Sequence, residues 1–239
     1  MRIPTLQHLA NSLLSQPSWV VDSSEACELV RVAEDLDGEL ADWARRIPAK
    51  WSYTTVTRMN GSSSPQLSFV PNQIHRYPDF YAARVWNLYR VYRLIIQSIL
   101  LRVSSFICLH PTDYDQSHIG KTNRVMVEEV CASVPFLLGY DLSELKHSLD
   151  GNGLHDENFL WPQSSINKAC SSGSTGKFSL IWPLYIACSV SSVPEAQRKW
   201  MRAQLRWIAE TGEAHAHFVQ NAESQTLMGA PEIFRFDCV

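Results

Sequence analysis

The sequence predicts an all-α protein: a single-domain helical bundle of about six to eight helices, spanning residues 1–239, with a central buried helix. Three observations predict it. Apolar residues recur at three- and four-residue spacing through most of the chain, proline and glycine punctuate those runs, and no strand-like alternation of useful length occurs. With 45% hydrophobic and 10% aromatic residues, the 239-residue chain has ample material for a sizeable core.

The first expected helix runs from Ser23 to Arg46, where Leu29, Val32, Leu36, Leu40 and Trp43 share a face, Asp22 or Ser23 is placed to cap it, and Pro48 ends it. Residues 60–76 read as a loop, because Asn60-Gly61, a run of three serines, Pro65 and Pro71 favour turns and offer little to bury. Val20-Val21 and Tyr53 to Thr57 suit short extended pieces, without enough around them for a sheet.

The next helix, Asp79 to about Cys108, is the most informative segment. Pro78 and Asp79 suit a first turn. Tyr81, Val85, Leu88, Tyr92, Ile95, Ile99, Val103 and Phe106 then step along one face, while Trp86, Tyr89, Arg93, Ile96 and Leu100 make a second stripe. A helix apolar on most sides belongs in the middle of its domain, and this one is placed there, facing Trp182 and Tyr185.

A third helix is expected from about Ser117 to Leu137, bent or ended by Pro135 near Gly139. Residues 148–176, rich in Gly, Ser and Asn with Phe159, Leu160 and Trp161 as anchors, read as a long surface loop or lid. Helices over Lys177–Val190, Pro194–Thr211 and Gly212–Thr226 complete the bundle. The sequence shows no internal repeat.

Composition excludes several functions. A formal charge of −3 and a pI near 6.2 give no general attraction to phosphate backbones, so no direct nucleic-acid contact is expected. The six cysteines lie at least 18 residues apart, so no C-x-x-C pair seeds a zinc or redox site; they read as buried thiols in a reducing compartment. Gln7, His8 and Asn11 interrupt any secretory leader, and the stretches Leu94–Leu109 and Leu180–Val190 fall short of the roughly 20 apolar residues a membrane span needs. The expectation is a cytoplasmic protein that does not touch membranes.

Five segments, in order, carry a family resemblance. They are Leu36-Asp37-Gly38-Glu39-Leu40 with Trp43; Pro48-Ala49-Lys50-Trp51-Ser52-Tyr53; Trp86-Asn87-Leu88-Tyr89-Arg90 with Arg93; Val130-Cys131-Ala132-Ser133-Val134-Pro135-Phe136; and Leu180-Ile181-Trp182-Pro183-Leu184-Tyr185, followed by Trp200 and the Leu205 to Gly212 helix end. Together, over roughly residues 22–220, they resemble the C-terminal helical domain of fungal Zn2Cys6 transcription factors, the fungal-specific transcription factor domain. The resemblance implies a helical fold. In full-length members a six-cysteine zinc cluster binds DNA and this domain regulates it. The cysteines here are scattered through the helical part, so neither zinc nor DNA binding carries over, and the resemblance implies a fold rather than a function.

Candidate chemistry centres on Asn87, Arg90 and Arg93, polar groups on an apolar helix that each need a carboxylate, a carbonyl or a ligand. Their plainer role is an internal salt bridge to Asp37, Glu39 or Asp42; the functional one is Arg90 or Arg93 donating to a ligand carbonyl or carboxylate. Trp86, Tyr89, Trp182, Tyr185 and Trp207 suit a cavity wall as well as plain core, in a chain with eight tryptophans. His215 and His217, two residues apart, point roughly 200° apart on a helix and do not share a metal. His155-Asp156-Glu157 reads as solvated loop and Glu128-Glu129 as an exposed helix face. No G-x-S-x-G, G-x-G-x-x-G or Walker loop is present, and no metal or other cofactor is implied.

Two functions fit. One is a small-molecule-binding protein of fungal secondary metabolism, a cofactor-independent cyclase of the Diels-Alder type acting on an apolar terpenoid or polyketide. In it Arg90 and Tyr89 are catalytic, and Trp86, Asn87, Arg93, Trp182, Tyr185 and Trp207 bind the substrate. The other is a cluster-free regulator that works through a protein partner, in the nucleus.

Overall fold

The computed structural model describes residues 2–17, 21–57, 69, 71–106, 116–139, 173–213 and 216. Among them lie six α-helices and a two-stranded hairpin: α1 (Arg2–Leu14), α2 (Ser23–Arg46), β1 (Thr54–Thr57), β2 (Gln73–Arg76), α3 (Phe80–Phe106), α4 (Gln116–Leu137), α5 (Gly173–Ser189) and α6 (Glu195–Glu210). The all-α expectation holds.

The central helix is α3, which contacts α1, α2, α4 and α5. Asp79 starts it, its carboxylate accepting from the Ala82 amide at 2.7 Å, a bond that satisfies one of the four free N–H groups of a first turn. Val91, Leu94, Ile96, Ile99, Leu100 and Val103 are all fully buried. The two expected stripes are not equal. Tyr81 is 64% exposed and Val85, Leu88 and Tyr92 are half-buried, whereas Trp86, Tyr89 and Arg90 are buried, because α2 and α4 cover that side of the early turns.

Helix α2 keeps the expected cap: Asp22 accepts from the Ser24 amide at 2.9 Å and from its hydroxyl at 2.7 Å. The expected series of helices does not include α1. Its apolar stripe of Leu6, Ala10 and Leu13 is thin, and it forms by packing on α2 and α3, with Arg2 paired to Glu39.

The expectation that 60–76 is loop throughout and that no sheet forms is corrected by the hairpin, antiparallel with Thr54 opposite Arg76 and Thr57 opposite Gln73. Four-residue strands leave little alternation to detect, and an isolated hairpin of that size is marginal; here Ile74 and His75 are buried and β2 packs on α4. A single 3₁₀ turn, Ala49–Trp51, links α2 to it.

Pro135 lies near the end of α4 without stopping it at once: the helix runs to Leu137, and Gly139 at φ 78° closes it. The loop expected over 148–176 ends earlier, since residues 173–176 are the first turn of α5; the rest of it lies outside the described residues. Gly176 is needed where it is, because a Cβ there would come 1.9 Å from the Leu137 carbonyl oxygen. Arg198 of α6 reaches back to the carbonyl oxygens of Cys188, Val190 (3.0 Å) and Val193 (3.3 Å), capping the end of α5. Of the helix expected over Gly212–Thr226, only Gly212, Glu213 and Ala216 are described; His215 and His217 lie outside, as does the His155-Asp156-Glu157 cluster.

No helix among the described residues is long and apolar enough to cross a membrane. The expectation of buried thiols is met by Cys131 and Cys188 and not by Cys27, which is exposed.

Candidate functional site

Among the described residues Arg90 is the largest fully buried side chain, and an isolated guanidinium in such a position would be prohibitively costly. Four groups from three elements and their flanks meet it. Its Nε donates to Glu129 Oε2 of α4 at 3.0 Å. Its Nη1 donates to the Tyr77 hydroxyl at 2.7 Å and to Asn87 Oδ1 at 2.8 Å, and its Nη2 lies 3.2 Å from His75 Nδ1. Arginine has only donors, so Nδ1 is an acceptor; the imidazole is neutral with its proton on Nε2, and the Tyr77 hydroxyl, 3.1 Å away, donates to Nδ1 in turn. Burial first, and the Arg90 charge second, depress His75 to about 3, in keeping with that assignment. Burial also opposes the charge on Arg90, but the Tyr77 and Glu129 oxygens outweigh it and its pKa is raised. Burial pushes the Tyr77 hydroxyl up to about 12.

Aromatic rings complete the enclosure. The Arg90 guanidinium carbon sits 5.1 Å from the Tyr53 ring centre and 5.8 Å from those of Tyr77 and Trp86, within the range where a ring face attracts a cation. Tyr53 also packs on His75, with ring centres 4.1 Å apart and planes tilted by 30°. Asn87 spends its amide on the Ser133 hydroxyl at 2.9 Å, which itself donates to the Val130 carbonyl. Glu129 is therefore not the exposed residue the sequence suggests: Glu128 points out, whereas the Glu129 side chain is 22% exposed and turned toward Arg90.

One turn along α3, Arg93 grips Asp37 of α2 with both Nε (2.8 Å) and Nη2 (2.6 Å), one of the three partners expected from the sequence. Its Nη1 donates to the Tyr89 hydroxyl at 3.2 Å. Trp43 of α2 packs on Trp86 and Tyr89, each at 5.5 Å between ring centres, and Trp86 Nε1 donates to the Trp51 carbonyl at 2.8 Å. Between α2, α3 and the start of β1 lies an open cleft of about 320 Å³, lined by Ala41, Ala44 and Arg45 on one side, Trp86, Tyr89 and Arg93 on the other, and Tyr53 and Glu129.

The structure thus brings Trp86, Asn87, Tyr89, Arg90 and Arg93 together, with Trp86, Tyr89 and Arg93 on the cleft and Asn87 and Arg90 behind it. It does not bring Trp182, Tyr185 and Trp207 to them. Trp182 and Tyr185 stack on each other along α5 at 5.9 Å, and Trp207 of α6 receives Lys177 at 4.9 Å. The polar side of α3 faces α2, α4 and the hairpin, not Trp182 and Tyr185, because its carboxylate and hydroxyl partners are there. Sequence reasoning missed Tyr53, His75, Tyr77 and Glu129 as site residues; Tyr53 and His75 are 22 positions apart, and no pattern within one segment singles them out.

Over 215 residues, 88% of its length, the chain is 28% identical to "Transcription factor dbaG" of Emericella nidulans, and it spans about half of that curated relative, 47%. No protein-family model matches the chain. No solved structure matches it. The chain is thus a distant relative of a fungal transcription factor.

Proposed function

We infer that this chain is a helical regulatory domain of a fungal transcription factor-like protein, of the kind that accompanies a zinc cluster in Zn2Cys6 factors, and that it works through protein contacts rather than by holding DNA itself. The observation that carries this reading is the similarity to a transcription factor along 88% of the chain. The way the resembling segments meet supports it: Asp37 and Trp43, Trp51 and Tyr53, Trp86 to Arg93, and Ser133 come from four separate segments and converge in one network. A chain of charge −3 with no zinc-cluster spacing offers DNA little. Its place of work on this reading is the nucleus.

The cyclase reading draws less from the geometry. Of its eight side chains, Trp86, Tyr89 and Arg93 share the cleft, and Arg90 directs its described hydrogen bonds to protein groups.

The test is a fusion of the chain to a heterologous DNA-binding module in yeast, with a reporter gene behind the module's site. Reporter output differing by about tenfold from the module alone is expected, with no retention of DNA by the unfused chain. Output equal to the module alone, at matched protein level, would overturn the reading.

A further inference from the structure

We propose that the cleft between α2 and α3 is a binding site for one small, flat, uncharged aromatic molecule carrying a hydrogen-bond acceptor at one end and a donor at the other. The opening exists because α2 faces it with Ala41 and Ala44, too small to fill it, while Trp43 on the same helix wedges against Trp86 and Tyr89 and holds α2 away from α3. Space of this kind between helices is where ligands commonly sit.

The walls select for flatness. Trp86 meets Tyr53 at 88° and 4.9 Å, and Tyr89 at 88° and 5.6 Å, so ring faces and ring edges alternate around the opening. An aromatic guest meets such walls in the edge-to-face arrangements that rings prefer. The bond from Trp86 Nε1 to the Trp51 carbonyl fixes the central ring, which lowers the cost of ordering the site on binding.

The polar groups set the ends. Arg93 donates to the Tyr89 hydroxyl, and among the described residues that hydroxyl has no acceptor for its own proton, leaving a donor at one end. Glu129 takes Arg90 on Oε2 and meets the Tyr53 hydroxyl, and its partly exposed carboxylate, with about four lone-pair sites, keeps an acceptor for the other end. The two charges inside the cleft already have counter-ions, Arg93 with Asp37 and Glu129 with Arg90, while Arg45, paired with Asp42, stands in solvent at the rim. A charged guest would have to break one of these pairs, so the guest is neutral. A cavity of about 150 Å³ takes benzene, about 25 Å³ for each non-hydrogen atom, so about 320 Å³ takes about thirteen, the size of a substituted bicyclic ring. This inference stands apart from the regulatory reading, since binding is measured on the chain alone.

The probe is 2-acetyl-6-hydroxynaphthalene, titrated into the purified full chain by calorimetry, with 2-acetylnaphthalene lacking the donor and 2-naphthol lacking the acceptor. Binding with a Kd of about a millimolar or tighter is expected, at least about fivefold weaker for each control and for Tyr89→Phe, and lost in Ala44→Phe, which fills the space. Ala41→Leu, a smaller intrusion, decides the matter should Ala44→Phe not fold. No binding by the full probe, equal binding of all three compounds, or undiminished binding by a folded filled variant would overturn the proposal.

Discussion

Arg90 of α3 and Glu129 of α4 form an ion pair at 3.0 Å whose cation has no exposure to solvent and whose anion has little. Breaking a buried pair from one side leaves the other charge desolvated and alone. Arg90→Met is therefore expected to cost about 3–5 kcal/mol in urea unfolding, and Arg90→Met with Glu129→Gln to cost less than the sum of the two single changes. Additive losses would show that the pair contributes no coupling.

Asp37→Asn keeps the shape of the Asp37 side chain but removes the charge that Arg93 grips with two nitrogens. Both side chains are nearly buried, at 11% and 12% exposure, so solvent screens the pair little. A loss of about 1–3 kcal/mol is expected, measured by denaturant midpoint, and most of it should disappear in an Arg93→Met background.

The pH dependence of stability isolates His75. Its ordinary value of 6.5 applies in the unfolded chain, whereas burial and Arg90 hold the folded one at about 3. Between those values the unfolded chain takes up a proton that the folded chain refuses, so this residue's contribution is full above about 6.5, falls as the pH drops toward about 3, and levels off below. His75→Gln keeps an acceptor for Arg90 without titrating. Relative to the variant, the wild type should lose up to about 1.4 kcal/mol per pH unit between pH 6 and 4. Parallel curves in that window would show that His75 is protonated without penalty.

Gly176→Ala places a methyl group against the Leu137 carbonyl, so α5 must shift from α4. A loss of about 1–3 kcal/mol is expected by thermal or chemical unfolding. Gly38→Ala, on α2 with nothing within 4 Å of a Cβ, should instead be neutral or stabilising, since alanine favours helix.

What the sequence made legible was what repeats locally. Helix α3 shows itself because 27 residues keep helical periodicity, and the Arg93 partner was within reach because α2 offers few inward carboxylates. The partner of Arg90 was not. Glu128 and Glu129 are chemically identical neighbours roughly 100° apart on a helix, and which one turns inward depends on how α4 is rotated against α3. His75 and Tyr77 were equally hidden, since a four-residue strand gains its stability from α4 rather than from its own pattern. The cleft required both: it lies where α2, α3 and β1 meet, a place no single segment encodes.

The fork between Arg93 and Asp37 also sets the longitudinal alignment of two helices whose apolar faces alone would tolerate sliding. A slip of α2 by four residues in either direction would put Ala33 or Ala41 opposite Arg93, and neither side chain can accept a hydrogen bond. The misaligned bundle would strand a buried cation, so one polar contact makes a single register far more favourable than its neighbours and, with it, fixes where Trp43 meets Trp86 and Tyr89.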